Sequence, residues 1–173
     1  MKVIDLSQTI HNGMDVYPGD PEVTINTVCT LSEDEYVVRQ LTMGSHTGTH
    51  VDAFSHMHES GLTLSEIPLQ QFLGQAVRID LRHPFPEKTG LIFADCVDLD
   101  HYEKIVKVHP PFVGGEISEK LERALLKKQI VTYTNLASLE SLPKLEPFLF
   151  VGLPLKIKDG DGSPVRAVAV FLS

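Results

Sequence analysis

Basic residues are scarce in this sequence. Lys and Arg total 15 against 23 Asp and Glu, a formal net charge of −8. That balance excludes a general nucleic-acid or anionic-membrane binder, because both need basic surface. Cysteine is nearly absent. Cys29 and Cys96 form neither a CxxC pair nor a disulfide framework, so both are read as buried reduced thiols. Long apolar runs are missing too. The longest, near 148–151 and 167–172, are far too short to span a bilayer, and Asp5 and Gln8 interrupt what could otherwise pass for a signal peptide. The reading is a soluble, cytoplasmic protein. There is no Gly-x-Ser-x-Gly elbow, no Walker loop and no GxGxxG, which removes the common serine-hydrolase and nucleotide-binding signatures. Tryptophan is absent and aromatics are only 7%, leaving Phe54, Tyr17 and Phe112 as the aromatic candidates for pocket walls, with packing their first reading.

What is present fits one globular domain over residues 1–173. The chain has 42% hydrophobic residues, and folding at this length buries about 70% of the surface exposed when unfolded. Gly and Pro are spread as turn punctuation, with no repeat and no linker. Alternating, β-branched segments predict strands over 1–6, 23–28, 36–43, 75–81, 130–133, 148–152 and 165–172. The last is apolar almost throughout, which predicts a central strand covered on both faces. A polar turn is expected over 32–35 and a short helix over 68–73. Residues 119–129 predict a clear helix, with Ser118 as N-cap, acids in its first turn and lysines in its last. A second short helix is expected over 135–142, stopped by Pro143. Residues 84–115 give no clear pattern. The sum is an α/β chain, a mixed sheet with a few packed helices.

The informative stretch is 44–58. Four of the eight histidines, His46, His50, His56 and His58, fall in thirteen residues, where uniform scatter would place roughly 0.6. Asp52 lies among them. Imidazole nitrogen and carboxylate oxygen are the donors preferred by zinc and related divalent ions. His46 and His50 are four apart, as on one helix face. The β-branched neighbours Thr47, Thr49 and Val51, with Gly48 between, favour instead a bend at Gly48 leading into extended chain. His50 and Asp52 then point to one side, and the bend can bring His46 over the same spot. Three ligands from one segment leave positions open for water and substrate. His56 follows in the extended period, as a fourth ligand or a nearby acid/base. His58 runs into a polar turn and is expected to be exposed.

The run His46-Thr47-Gly48-Thr49-His50-Val51-Asp52-Ala53-Phe54-Ser55-His56 resembles the signature of the cyclase family of metal-dependent hydrolases, which includes kynurenine formamidases and isatin hydrolases. Ile4-Asp5-Leu6-Ser7 and Tyr17-Pro18-Gly19-Asp20-Pro21 are similar to the opening of that family, and Leu125-Leu126 through Asn135-Leu136, Pro154-Leu155-Lys156 and Gly162-Ser163-Pro164-Val165-Arg166-Ala167 resemble its closing third. The resemblance implies a swivelling β/β/α fold and a homo-oligomer, a dimer or tetramer. It implies His46, His50 and Asp52 as ligands of a divalent ion, zinc or alternatively manganese. His56 would be the catalytic histidine or a support for the ligands. In two-metal members Asp52 would bridge, with a His and a Glu holding the second ion; here those positions carry Glu122 and Thr134, and Glu122 alone is a candidate ligand. His101, His109 and Glu116 are weaker substitutes, read first as surface residues. The implied reaction is hydrolysis of a small formamide, amide, lactam or ester through a metal-activated water. The alternatives are a lyase or cyclase on the same scaffold, or a non-enzymatic metal-containing binder.

Overall fold

The computed structural model describes residues 1–172. Its strands are β1 (Lys2–Asp5), β2 (Thr24–Cys29), β3 (Val38–Thr42), β4 (His50–Asp52), β5 (Leu73–Arg78), β6 (Gly90–Val97), β7 (Phe112–Ile117), β8 (Val131–Thr134), β9 (Pro147–Val151), β10 (Gly162–Pro164) and β11 (Val168–Phe171). Its α-helices are α1 (Leu31–Asp34), α2 (Tyr102–Val106) and α3 (Glu119–Lys127). Nine strands form one sheet in the order β1-β11-β9-β5-β6-β7-β8-β4-β10, while β2 and β3 make a separate ribbon. The central run β5-β6-β7-β8 is parallel and the flanks are antiparallel. The chain is thus α/β, with the mixed sheet and packed helices its sequence predicts.

Side chains alternate between two cores, as the period of a strand requires. On β7, Phe112 joins one core and Val113 the other; on β6, Ile92 and Phe93 divide the same way. The second core is capped by α2 and α3 through Ile105, Leu121 and Leu125. The first is closed by the sheet curling on itself. Leu6 donates to the Ala167 carbonyl at 2.9 Å and accepts from Ala137 N–H at 2.8 Å, which ties the β1 edge to the chain leaving β8. Phe112, Tyr133 and Phe150 pack at its centre with ring centroids 4.8–5.7 Å apart. The buried Tyr133 hydroxyl bonds the Phe72 and Gly152 carbonyls, so that core holds no orphaned phenol.

Ser118 caps α3 as its sequence signals, its hydroxyl accepting from Leu121 N–H at 3.3 Å. Several expectations are corrected. The helix expected over 135–142 reduces to a 3₁₀ turn at Leu139–Ser141. Asn135 and Ser138 adopt left-handed φ of 55° and 54°, and Ala137 gives its N–H to Leu6, so no α-helix can propagate. The helix expected over 68–73 is a 3₁₀ turn, Leu69–Gln71, and the polar turn over 32–35 is the one-turn α1. The closing strand is not central. β11 lies next to the edge strand β1, and only Ala169 is fully buried in it. Arg166, just before it, is exposed and pairs with Asp5. The unpatterned region 84–115 contains β6, α2 and the start of β7. Cys29 is half-buried and Cys96 exposed, both free, so neither is the buried thiol expected. No helix among the described residues is long and apolar enough to cross a membrane.

Candidate metal centre

The centre is built on β4, which lies between β8 and β10. Gly48 takes a φ of +58°, the left-handed conformation that makes the bend its position requires. The extended β4 then places His50 and Asp52 on one face and Val51 on the other, where Val51 is buried in the first core. Register does the rest. His50 lies opposite Thr134 and Asp52 opposite Thr132 on β8, and Asp52 lies opposite Gly162 on β10. Directly opposed residues share a face, so both threonine hydroxyls reach the centre.

Asp52 is the hub, with a side chain only 2% exposed. Its Oδ1 is 2.7 Å from His46 Nδ1 and 3.5 Å from His50 Nε2. Its Oδ2 accepts the Thr132 hydroxyl at 3.2 Å, and the Glu122 carboxyl bonds the same group. Glu122 reaches in from the buried face of α3, with Thr132 Oγ1 3.0 Å from its Oε1. His50 holds its Nδ1–H on the Gly48 carbonyl at 2.7 Å, which leaves Nε2 as the acceptor; Thr134 donates to it at 2.8 Å. His56 arrives differently from its expected extended path. Residues 54–56 form a 3₁₀ turn anchored by buried Phe54, while Ser55 N–H is taken by the Leu62 carbonyl. The turn still lays the His56 ring against His46, with centroids 3.9 Å apart.

One donor atom from each of His46, Asp52 and His56 lies within 4.8 Å of the other two. His50 stands beside this trio, its Nε2 nearest Thr134 but also facing Asp52. Glu122 is within the same network, and Thr134 supports His50. His101 and Glu116 lie outside the network, as does exposed His109. His58 is half-buried rather than exposed, its ring bonding the Arg123 carbonyl. Phe54 and Phe112 are core residues, and Tyr17 is 68% exposed. Asp161 joins the cluster from the turn before β10, far from the histidine run in sequence. Its Oδ2 lies 3.0 Å from His46 Nε2 and 3.9 Å from His56 Nδ1. The acid set between two glycines is the only linear signal of it, since 115 residues separate it from His46.

Burial opposes charge on His46, but the Asp52 and Asp161 carboxylates override it and hold the imidazole up to about 9. Burial and the neighbouring Asp52 carboxylate push Glu122 up to about 8. Burial would raise Asp52, yet His46, His50 and Glu122 together keep it low. Burial and the His46 charge lower His56. The ion-free chain therefore carries protons on His46 and Glu122 at neutral pH. Their ordinary values are 6.5 and 4.5, so an unfolded chain releases both protons at lower pH. The stabilisation is complete below those values and is lost as pH rises through 8 and 9. Between pH 6.5 and 8 both protons stay on the folded chain, and each steepens the loss by about 1.4 kcal/mol per pH unit. EDTA-treated protein is expected to melt at a lower temperature at pH 8.5 than at 6.5; a flat or rising profile would place those protons elsewhere.

Comparison with known proteins gives a consistent picture. A family model named Cyclase and described as "Putative cyclase" matches residues 4–111. An uncharacterized protein of Methanocaldococcus jannaschii is 32% identical, with 99% of this chain and 100% of that protein covered. A kynurenine formamidase of Salinibacter ruber is 30% identical, with 97% of each chain covered. Among solved structures, an isatin hydrolase bound to the product analogue thioisatinate superposes with a TM-score of 0.83 at 18% identity, covering 99% of this chain and 93% of that one.

Proposed function

The chain belongs to the cyclase family, and from that premise we propose that it is a metal-dependent hydrolase of a small amide, formamide, lactam or ester. The observation that carries the reading is the convergence on Asp52. A buried carboxylate with two imidazole nitrogens at 2.7 and 3.5 Å, and a third imidazole alongside, is a donor set that fits a divalent cation of the zinc type, with manganese the alternative. Without a cation the same cluster has to be neutralised by protons, as His46 and Glu122 show.

His46, His50 and Asp52 would hold the ion, with Glu122 in reach of Asp52 as a candidate for a second one. A divalent ion there supplies Lewis acidity to a carbonyl oxygen and acidity to a coordinated water. The protein's part is proton handling and orientation. His56 is half-exposed at the mouth of the cluster, so it can take a proton from water and return it to the leaving nitrogen or oxygen. The Gly48 carbonyl fixes the His50 tautomer, and Thr132 and Glu122 fix the Asp52 carboxylate.

The proposal includes a single domain over residues 1–173, in the cytoplasm, where two unpaired cysteines are at home. It also includes a homo-oligomer, a dimer or tetramer. The β2–β3 ribbon stands outside the main sheet and exposes Val28, Val38 and Leu41, an apolar surface that a second copy would cover. Light scattering that gives the monomer mass would remove this last element.

The test is metal analysis of protein purified without chelator, followed by hydrolysis assays on formamides, lactams, lactones and esters. At least one ion per chain and turnover of one class are expected. His56→Ala is expected to keep the ion and lose about 10²–10⁴-fold in kcat. A chain that stays metal-free under saturating zinc and manganese ends the reading.

A further inference from the structure

Asp161 sits in the turn that enters β10, and two backbone contacts fix it there. Its backbone carbonyl accepts Ala53 N–H at 2.8 Å, which ties it to the residue after Asp52. Its neighbour Gly162 pairs with Asp52 in the β4–β10 ladder. These hold Oδ2 at 3.0 Å from His46 Nε2, on the far side of the ring from Asp52, whose Oδ1 is 2.7 Å from Nδ1.

An imidazole has two nitrogens. As a neutral ligand it must offer a lone pair on one and carry its proton on the other. A carboxylate facing one nitrogen takes the N–H there and leaves the opposite nitrogen for the ion. The geometry points to Asp161 as the residue that does this for His46. We propose that Asp161 is a positioning residue that keeps the His46 proton on Nε2, so that Nδ1, the nitrogen facing Asp52, is the one presented to the metal. The inference rests on the metal-site reading above and deepens it. The same Oδ2 is 3.9 Å from His56 Nδ1, so the carboxylate also borders the ring that stacks on His46. His50 is served by an equivalent device, the Gly48 carbonyl on its Nδ1–H, which leaves the other nitrogen, Nε2, toward Asp52. The two histidines would thus coordinate through different nitrogens.

The test uses zinc as the probe. Zinc Kd is measured by competition with a chromophoric chelator for the wild-type chain, Asp161→Ala and Asp161→Asn, and the His46 tautomer is read from ring ¹⁵N shifts of the zinc-loaded wild type. The proton is expected on Nε2. Asp161→Ala is expected to weaken zinc about 10–100-fold, while Asp161→Asn, whose amide oxygen can still accept the N–H, stays within about threefold. A wild-type His46 protonated on Nδ1 overturns the assignment, as does an Asp161→Ala Kd within threefold of wild type. Asp161→Asn as weak as Asp161→Ala overturns it in favour of direct coordination by Asp161. A wild-type chain that binds no zinc brings down the metal reading itself, and this assignment with it. The tautomer is read on the unaltered chain, so the outcome does not depend on either variant folding.

Discussion

Asp52→Asn is expected to strip the chain of its ion and to lower hydrolysis by at least about 10³-fold, equivalent to roughly 4 kcal/mol of lost transition-state stabilisation. The amide keeps the size of the carboxylate but not its charge. His46 then loses its nearest counter-charge, and Thr132 and Glu122 lose the ionised acceptor they share. The fold is expected to survive, because the strand pairing of Asp52 is made by backbone and Asp161 stays beside His46 as a counter-charge. Metal analysis and a thermal melt of the ion-free protein separate the two effects. An Asp52→Asn chain that still holds one ion at wild-type affinity would show that the ligands lie elsewhere.

Gly162→Ala is the second large effect, and it acts without touching a candidate ligand's chemistry. A Cβ at residue 162 would stand 2.3 Å from His46 Cε1 and 2.7 Å from Nδ1, far inside contact distance. The ring must move, and with it the nitrogen that faces Asp52. Displacement of a positioned group by about 1 Å can cost about 10²-fold, so ion affinity and turnover are each expected to fall about 10–100-fold. The stability cost is expected at about 1–3 kcal/mol, the range of overpacking. Gly44→Ala is the control. It lies two residues from His46, and a Cβ there would meet only ordinary contacts of 3.5 and 3.8 Å. It is expected to bind zinc as wild type does. Equal affinities in all three proteins would mean that the His46 ring is not held where the ion needs it.

The two variants show where the sequence was legible. The placement of the candidate ligand run could be read because strand geometry maps spacing onto direction: residues two apart face one way, and Gly48 marks the bend. The N-cap and charge pattern of α3 were legible for the same local reason, since a cap acts within one turn. Local signals failed where tertiary partners took over the backbone. The stretch after β8 has helical composition, but Leu6 and Thr49 claim its polar groups, and Asn135 turns left-handed. Residues 54–56 left the extended path because Phe54 had a core to enter. The apolar β11 read as central because composition cannot distinguish burial under helices from a place beside an edge strand.

By itself the sequence determined that a short bent segment carries nitrogen and oxygen donors in a pattern suited to a divalent ion, within an acidic α/β chain. That information is local, held in a dozen residues and the periodicity of a strand. Only the tertiary structure decided which other side chains complete the centre. Thr132 and Thr134 are set by cross-strand register, Glu122 by helix docking, and Asp161 by the β4–β10 pairing. Each lies at least 76 residues from His46 along the chain, from Glu122 at 76 to Asp161 at 115. Separations of that size carry no directional information until strand pairing and core packing fold them onto one face.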